Sequence, residues 1–312
     1  MLKVLVFFAL LVGMALLLDT FLDRQMKLLR YEDASVWNDI SRGGIDAHTI
    51  IIGSSRAATH IDPQMIAQAT GASCYNLGMM GHNFFIEHAR YRYYLQHNSP
   101  PKTIILSLDY ESLQRRQDLF NHTQFLAYLQ DTIIGPATQQ YQGFSTYDYK
   151  LPLLRYVGEQ TLIFSLIKNA INPSRNQPDR HNGFFARNAH WDAQVDKILD
   201  TLQPYTVHPD SLSFAAFDSF LQYCRTAHIS LIMVHTPTHP LGQAKVRNRA
   251  AIIQLYQQYA SRYHYPFLDY AADTMCQQRA YFMNATHLNT QGAAIFTQKL
   301  ITDINHIATT QP

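Results

Sequence analysis

The feature of this 312-residue chain that most constrains its fold is an alternation of short β-branched or apolar runs with stretches of helical spacing. His48-Thr49-Ile50-Ile51-Ile52 stops at Gly53, the pattern of a strand buried on both faces. Helical spacing follows from about Pro63 to Ala69. Ser73 to Leu77 reads as a second strand closed by Gly78, Phe84 to Gln96 as a helix, and Lys102 to Leu108 as a third strand running into Asp109. Strand and helix in this order predict right-handed crossovers and a parallel sheet with helices packed on it, an α/β architecture. The pattern resumes with a strand at Ile229 to Val234, a helix at Asn248 to Tyr263, a short strand at Pro266 to Asp269 and a closing helix from Gln291 to Ile307. Between the halves, about residues 111–211 are rich in Tyr, Gln and His without strand alternation and are expected to form a largely helical insertion. The folded domain is expected over 47–312.

Composition excludes several classes. A chain that is 47% apolar and 12% aromatic buries a full core and is not disordered. With 25 basic against 23 acidic residues and no basic block, no nucleic-acid partner is expected. The three cysteines Cys74, Cys224 and Cys276 fit neither a disulfide framework nor a CxxC motif. Pro237 between His235 and His239 breaks the helix that would set them on one face, so no metal site and no cofactor are expected.

The N-terminus reads as a signal anchor over residues 1–23. Val4 to Leu18 is an apolar run after Lys3, no small-x-small cleavage site follows, and the chain continues through Asp19, Phe21, Leu22 and Asp23 into a stalk or entry segment over 24–46. The helix makes the membrane an expected partner. A strict positive-inside count, with Arg24, Lys27 and Arg30 beyond the apolar run against Lys3 and the terminal amine before it, places the domain in the cytoplasm. The Asp19 and Asp23 break and the resemblance described next favour export, with the domain on the extracytoplasmic (periplasmic) side.

Ligands of a parallel α/β sheet bind outside the carboxyl ends of its strands, where Ser54, Ser55, Gly78 and Asp109 fall. A serine at a strand-to-helix turn presents its hydroxyl above the sheet beside free helix amides, and a glycine lets a second backbone N–H approach. The base this serine needs is best supplied by His287, in Asn284-Ala285-Thr286-His287-Leu288-Asn289-Thr290-Gln291-Gly292-Ala293. A GxS-type turn after strand one, a glycine after strand two and a His-Leu-Asn-x-x-Gly-Ala segment before the last helix resemble the SGNH (GDSL-type) hydrolase superfamily over about 47–307, the insertion aside. The likeness is nearest to membrane-anchored, exported members with a Gly-Ser-Ser-Arg opening, which are linked to acylation or deacylation of envelope polysaccharides. It implies a three-layer, flavodoxin-like sheet, Ser55 as nucleophile, His287 as general base, and the N–H groups of Ser55 and Gly78 as oxyanion donors. A glycan or acylated polysaccharide and a membrane acyltransferase or export complex are the partners it implies.

Two departures stand out. Asn284 occupies the place of the family's aspartate three residues before the histidine, and Leu108-Asp109-Tyr110-Glu111 replaces the Gly-x-Asn-Asp block after strand three. Asp109 or Asp273 is a candidate substitute for the acid, and Asn83 or Asn76 for the missing oxyanion donor. Ser54, Arg56 and Asp109 are candidate substrate contacts. The competing expectations are that the serines cap a helix, that Arg56 makes a structural ion pair and that Gly78 serves a turn. Two functions stay open: a serine esterase or O-acyltransferase acting on O-acyl esters of an envelope or exported polysaccharide, and an impaired pseudo-hydrolase that binds a glycan or an assembly partner.

Overall fold

In the computed structural model, which describes residues 1–310, the chain forms two compact units. One combines residues 1–43 with 117–179; the other combines 44–116 with 180 onward. The stretch expected as one insertion over 111–211 is thus shared between them. The last two residues of the expected 47–312 domain lie outside the described residues.

The second unit holds a five-stranded parallel sheet of β1 (Thr49–Ile52), β2 (Cys74–Asn76), β3 (Thr103–Ser107), β4 (Ser230–His235) and β5 (Phe267–Asp269), in the order β2-β1-β3-β4-β5. Each strand matches an apolar run of the sequence to within two residues at either end. The reason the runs are unbroken is two-sided cover. Ile51, Ile105, Ile232 and Val234 pack on one side with Phe282, Phe296 and Leu300. The alternate positions Ile50, Ile52, Ile104, Leu106 and Met233 are equally inaccessible. Phe84 and Tyr91 on the Phe84–His97 helix meet Phe217 and Phe220 on the Ser211–Thr226 helix edge-to-face, at centroid separations of 5.1 to 5.4 Å.

This strand order reverses direction between β1 and β3, the switch point at which an α/β sheet opens a crevice. Gly53 carries the chain out of β1 there with φ +149°, and a Cβ on it would stand 2.6 Å from the Ser107 carbonyl oxygen of β3. Gly78 is equally confined, because a Cβ would run into the Ala58 backbone. Beyond the main sheet, β6 (Phe282–Asn284) and β7 (His287–Leu288) form a small antiparallel hairpin that leads into the terminal helix Thr290–Thr310. Cys74, Cys224 and Cys276 are free and buried.

The first unit is built on the helix Leu2–Leu28, one helix long and apolar enough to cross a membrane, with a mean hydropathy of 2.5 over its apolar window. It turns from exposed to packed at Leu22 and Met26. The segment expected as a stalk carries the helix Glu32–Arg42, whose Asn38 side chain donates to the Met26 and Leu29 carbonyls at 2.7 and 2.8 Å, satisfying groups a helix end leaves open. Trp37 is fully buried, lies edge-on to Phe125 and donates to Gln124 Oε1 at 3.0 Å.

Gly53→Ala joins an unfavourable backbone conformation to a collision with β3, so it is expected to lower the unfolding free energy by about 2–4 kcal/mol. Urea melts of the two proteins check this. Equal midpoints would show that the turn relaxes freely.

Candidate active site

Three short structures bring the site together in the sheet-bearing unit. Gly53 ends β1 and the helix Ser55–His60 begins at once, with Ser54 as its cap: Ser54 Oγ accepts from Arg56 N–H at 3.2 Å. The expected capping serine and the expected nucleophile are therefore different residues. Of the Gly53-Ser54-Ser55-Arg56 turn only Ser55 keeps partial exposure. Its Oγ stands 2.8 Å from His287 Nε2.

His287 opens β7, and its other ring nitrogen faces Asn284 Oδ1 at 3.1 Å and Thr286 Oγ1 at 3.0 Å. The orientation of the Asn284 amide follows from its backbone donors. The N–H groups of Thr286 and His287 both point at the same side-chain atom, each at 2.9 Å, and only the oxygen can receive them. With oxygen toward the ring, Nδ1 carries the proton and Nε2 presents its lone pair to Ser55. Burial, then the positive charges of Arg56 and Arg187, push the His287 pKa down to about 3. The imidazole is therefore neutral at physiological pH, and its protonated form is favoured by the charge of Glu111 alone, with no carboxylate bonded to the ring.

The hairpin is held from below by His60, which the sequence reading did not single out. Its Nε2 accepts the Leu288 N–H at 3.0 Å, which puts its own proton on Nδ1, facing Thr236 Oγ1 at 3.1 Å. The His60 ring meets that of His287 edge-on, 6.0 Å between centroids. Burial, reinforced by His287 whenever its ring is protonated and by the charge of Arg56, holds His60 far below the ordinary histidine pKa. Nothing in the sequence separates His60 from the other histidines, because the Leu288 contact spans 228 residues. Thr286 and Arg187 were likewise missed.

The other expected site residues have commitments of their own. Ser54 Oγ donates to Asp109 Oδ2, and Arg56 Nη1 lies 3.3 Å from Asp109 Oδ1, with all three residues buried. The candidate substrate contacts Ser54, Arg56 and Asp109 thus form an internal cluster, and Arg56 makes the structural ion pair. Gly78 N–H, expected as an oxyanion donor, donates to Asn76 Oδ1 at 2.8 Å, because the chain folds back on itself there in an Asx turn. Asn76 gives its own amide protons to the Ala57 and Ile61 carbonyls at 2.7 and 2.9 Å, and Asn83 donates to the Gln114 carbonyl. Both amide protons of Asn76 are thus committed to backbone carbonyls. Ser55 N–H, the first amide of its helix, belongs to the groups that a helix leaves without an internal acceptor. Neither candidate acid reaches the imidazole: Asp109 is held as above, and Asp273 pairs with Lys299 at 2.9 Å.

No family model and no curated protein sequence matches the chain. Among solved structures it is similar to a candidate acylhydrolase from Bacteroides fragilis, with 12% identity and a TM-score of 0.38 over 82% of this chain and 86% of that one. A Streptococcus pneumoniae protein described as a candidate platelet activating factor matches at 12% identity and TM-score 0.42, over 95% and 97% of the two chains. Likeness at this level assigns neither family nor reaction.

His60 makes folding sensitive to acid with a definite sign. Its folded pKa lies below its unfolded value near 6.5, so the unfolded chain takes up the proton first, and stability present above that pH is lost as pH falls through it. One such histidine removes about 2 kcal/mol between pH 7 and pH 5. His60→Gln keeps an acceptor for Leu288 and a donor for Thr236 but cannot titrate. Urea melts at the two pH values are expected to show a smaller acid loss in the variant by about that amount.

Proposed function

We propose that the chain is an exported serine acyl hydrolase or O-acyltransferase of SGNH type, held to the membrane by the Leu2–Leu28 helix, that acts on O-acyl esters of a cell-envelope or exported polysaccharide. The reading rests above all on the 2.8 Å approach of Ser55 Oγ to His287 Nε2 at the switch point of a parallel sheet. Resemblance to the membrane-anchored SGNH members supports the polysaccharide ester, and the apolar N-terminal helix supports the anchor.

In this reaction the Ser55 oxygen bonds to the ester carbonyl carbon as His287 Nε2 takes the hydroxyl proton. Collapse of the tetrahedral species breaks the bond to the sugar oxygen, which receives that proton from His287. Water then releases the acid, or a second sugar hydroxyl takes up the acyl group, by the same steps in reverse. Ser55 N–H faces the developing oxyanion, and Gly78 N–H joins it only by leaving Asn76 Oδ1. Asn284 fixes the tautomer of His287 without charge. In the Ser-His-Asp template the corresponding Asp to Asn change costs about 10⁴ in turnover through the wrong tautomer; here the oxygen faces the ring, so the missing charge is the remaining deficit.

That deficit motivates a second reading, a pseudo-hydrolase that binds a glycan or a partner of an export assembly. Fluorophosphonate labelling separates the two. The enzyme reading expects stoichiometric labelling of the wild type and none of Ser55→Ala, whereas an unlabelled wild type favours the binding protein.

With His287 neutral down to about pH 3, the kcat/KM of an acetyl ester is expected to hold its plateau well below pH 6. A carboxylate at 284 favours the imidazolium. Asn284→Asp is therefore expected to move the acid limb to higher pH and raise turnover at neutral pH by tenfold or more. A fall in turnover with an unmoved acid limb would mean that His287 is not the base.

A further inference from the structure

The N-terminal helix is tied to its own unit by charge, at one level along its axis. Asp19 Oδ1 accepts the Leu153 N–H at 2.8 Å, and Arg155 Nη2 bridges Asp19 and Asp23 at 2.9 and 2.8 Å. Tyr156 O–H donates to Asp23 Oδ1 at 2.6 Å. Arg155 is buried, so removal of either acid would strand part of a desolvated charge. Residues 19–23 are therefore part of the folded unit as well as the end of the apolar helix.

The segment that makes this clamp has an outward surface of a particular kind. Leu151 and Val157 bracket the clamping residues 153–156 and are 48% and 73% exposed. Tyr147 is 64% exposed, and the Leu151 N–H donates to its carbonyl at 2.9 Å, one helical turn apart, so the two lie on the same side of the turn. Lys150, also exposed, stands between them. A tyrosine, a lysine and two aliphatic side chains exposed along this one segment, the rim of the clamp, have the composition of a membrane–water interface, where the ring sits among headgroups and the ammonium snorkels.

The length of the helix says what covers this rim. Its exposed apolar part, residues 4–18 between Lys3 and Asp19, rises about 22 Å, short of the roughly 30 Å hydrocarbon layer. A span that falls short draws its flanking residues toward the lipid. The flanking residues here are Phe21 on the helix and the rim that Asp19 holds beside it.

We infer that the Tyr147–Val157 segment rests in the headgroup layer of a phospholipid bilayer, with the Asp19–Arg155–Asp23 clamp fixing the depth at which the first unit sits on the membrane. This extends the anchor reading made above and depends on it. The helix is then an uncleaved strut, since cutting before Asp23 would remove half of the clamp.

The test uses the full-length protein in phosphatidylcholine–phosphatidylglycerol vesicles, with an environment-sensitive fluorophore on Leu10→Cys, Val157→Cys or Arg175→Cys, the native cysteines being buried. Leu10 reports the anchor. Arg175 is the control, on the 3-10 turn Pro173–Arg175 beside Asn176, which bonds to the far end of the helix at Leu28 and Arg30. All three positions are solvent-exposed, so labelling leaves the packing intact. The expected result is strong quenching of the Leu10 probe by deep nitroxide lipids. The Val157 probe is expected to be quenched several-fold more by shallow nitroxide lipids than the Arg175 probe, and protected from iodide. A lipid-buried Leu10 probe with a Val157 probe as iodide-accessible as that at Arg175 leaves the anchor standing and overturns the inference. A Leu10 probe outside the lipid overturns both.

Discussion

The buried pair of Arg56 and Asp109 is the interaction on which the site depends. Its two members leave neighbouring strands at the point where the sheet reverses its winding, one in the first turn after β1 and the other in the turn after β3. Ser54 completes the link by donating to the same carboxylate while it caps the helix that starts at Ser55. A cation and an anion that are both almost inaccessible hold each other at a desolvation cost that only close geometry offsets, and losing one partner costs about 3–5 kcal/mol. With Ser54 and Arg56 fixed inward, Ser55 is the one side chain of the turn left to face outward.

The strands and principal helices of the sheet unit were legible in the sequence, because burial on both faces leaves no choice but runs such as Ile50-Ile51-Ile52 and Ile104-Ile105-Leu106. The hairpin of Phe282–Asn284 with His287–Leu288 was not, since strands of two or three residues set by one bulged pairing carry no periodicity. The chain division was hidden for a related reason. Residues 117–179 form short 3-10 and helical turns that pack with the N-terminal 43 residues, and the contacts that decide this, such as Trp37 with Phe125, join segments far apart in sequence.

The site was legible to the extent that chemistry imposes local motifs. Ser55 and His287 were found through the turn and through His-Leu-Asn-x-x-Gly-Ala, and they stand in hydrogen-bond contact. The oxyanion donors were harder to read, because a backbone N–H is placed by conformation alone. Gly78 has the glycine that close packing against Ala58 demands, yet Asn76 two residues earlier occupies its N–H. The donor and turn expectations for Gly78 both rest on the same residue, and the packing against Ala58 requires a glycine there in either case.

Asn284 joins these observations into one electrostatic argument. The charges felt at His287 are positive on balance, Arg56 and Arg187 outweighing Glu111, and the place a triad carboxylate would take is held by a neutral asparagine. An asparagine oxygen there receives the backbone N–H groups of Thr286 and His287, satisfies the ring Nδ1–H and brings no charge that needs a partner. Its consequence is a base poised as neutral imidazole and costly to protonate. What stabilises the hairpin therefore works against the charge separation that acyl transfer requires. In the proposed acyl transfer, turnover at Ser55 depends on how much of that deficit the positive charges of Arg56 and Arg187, which oppose the imidazolium, return by favouring the oxyanion.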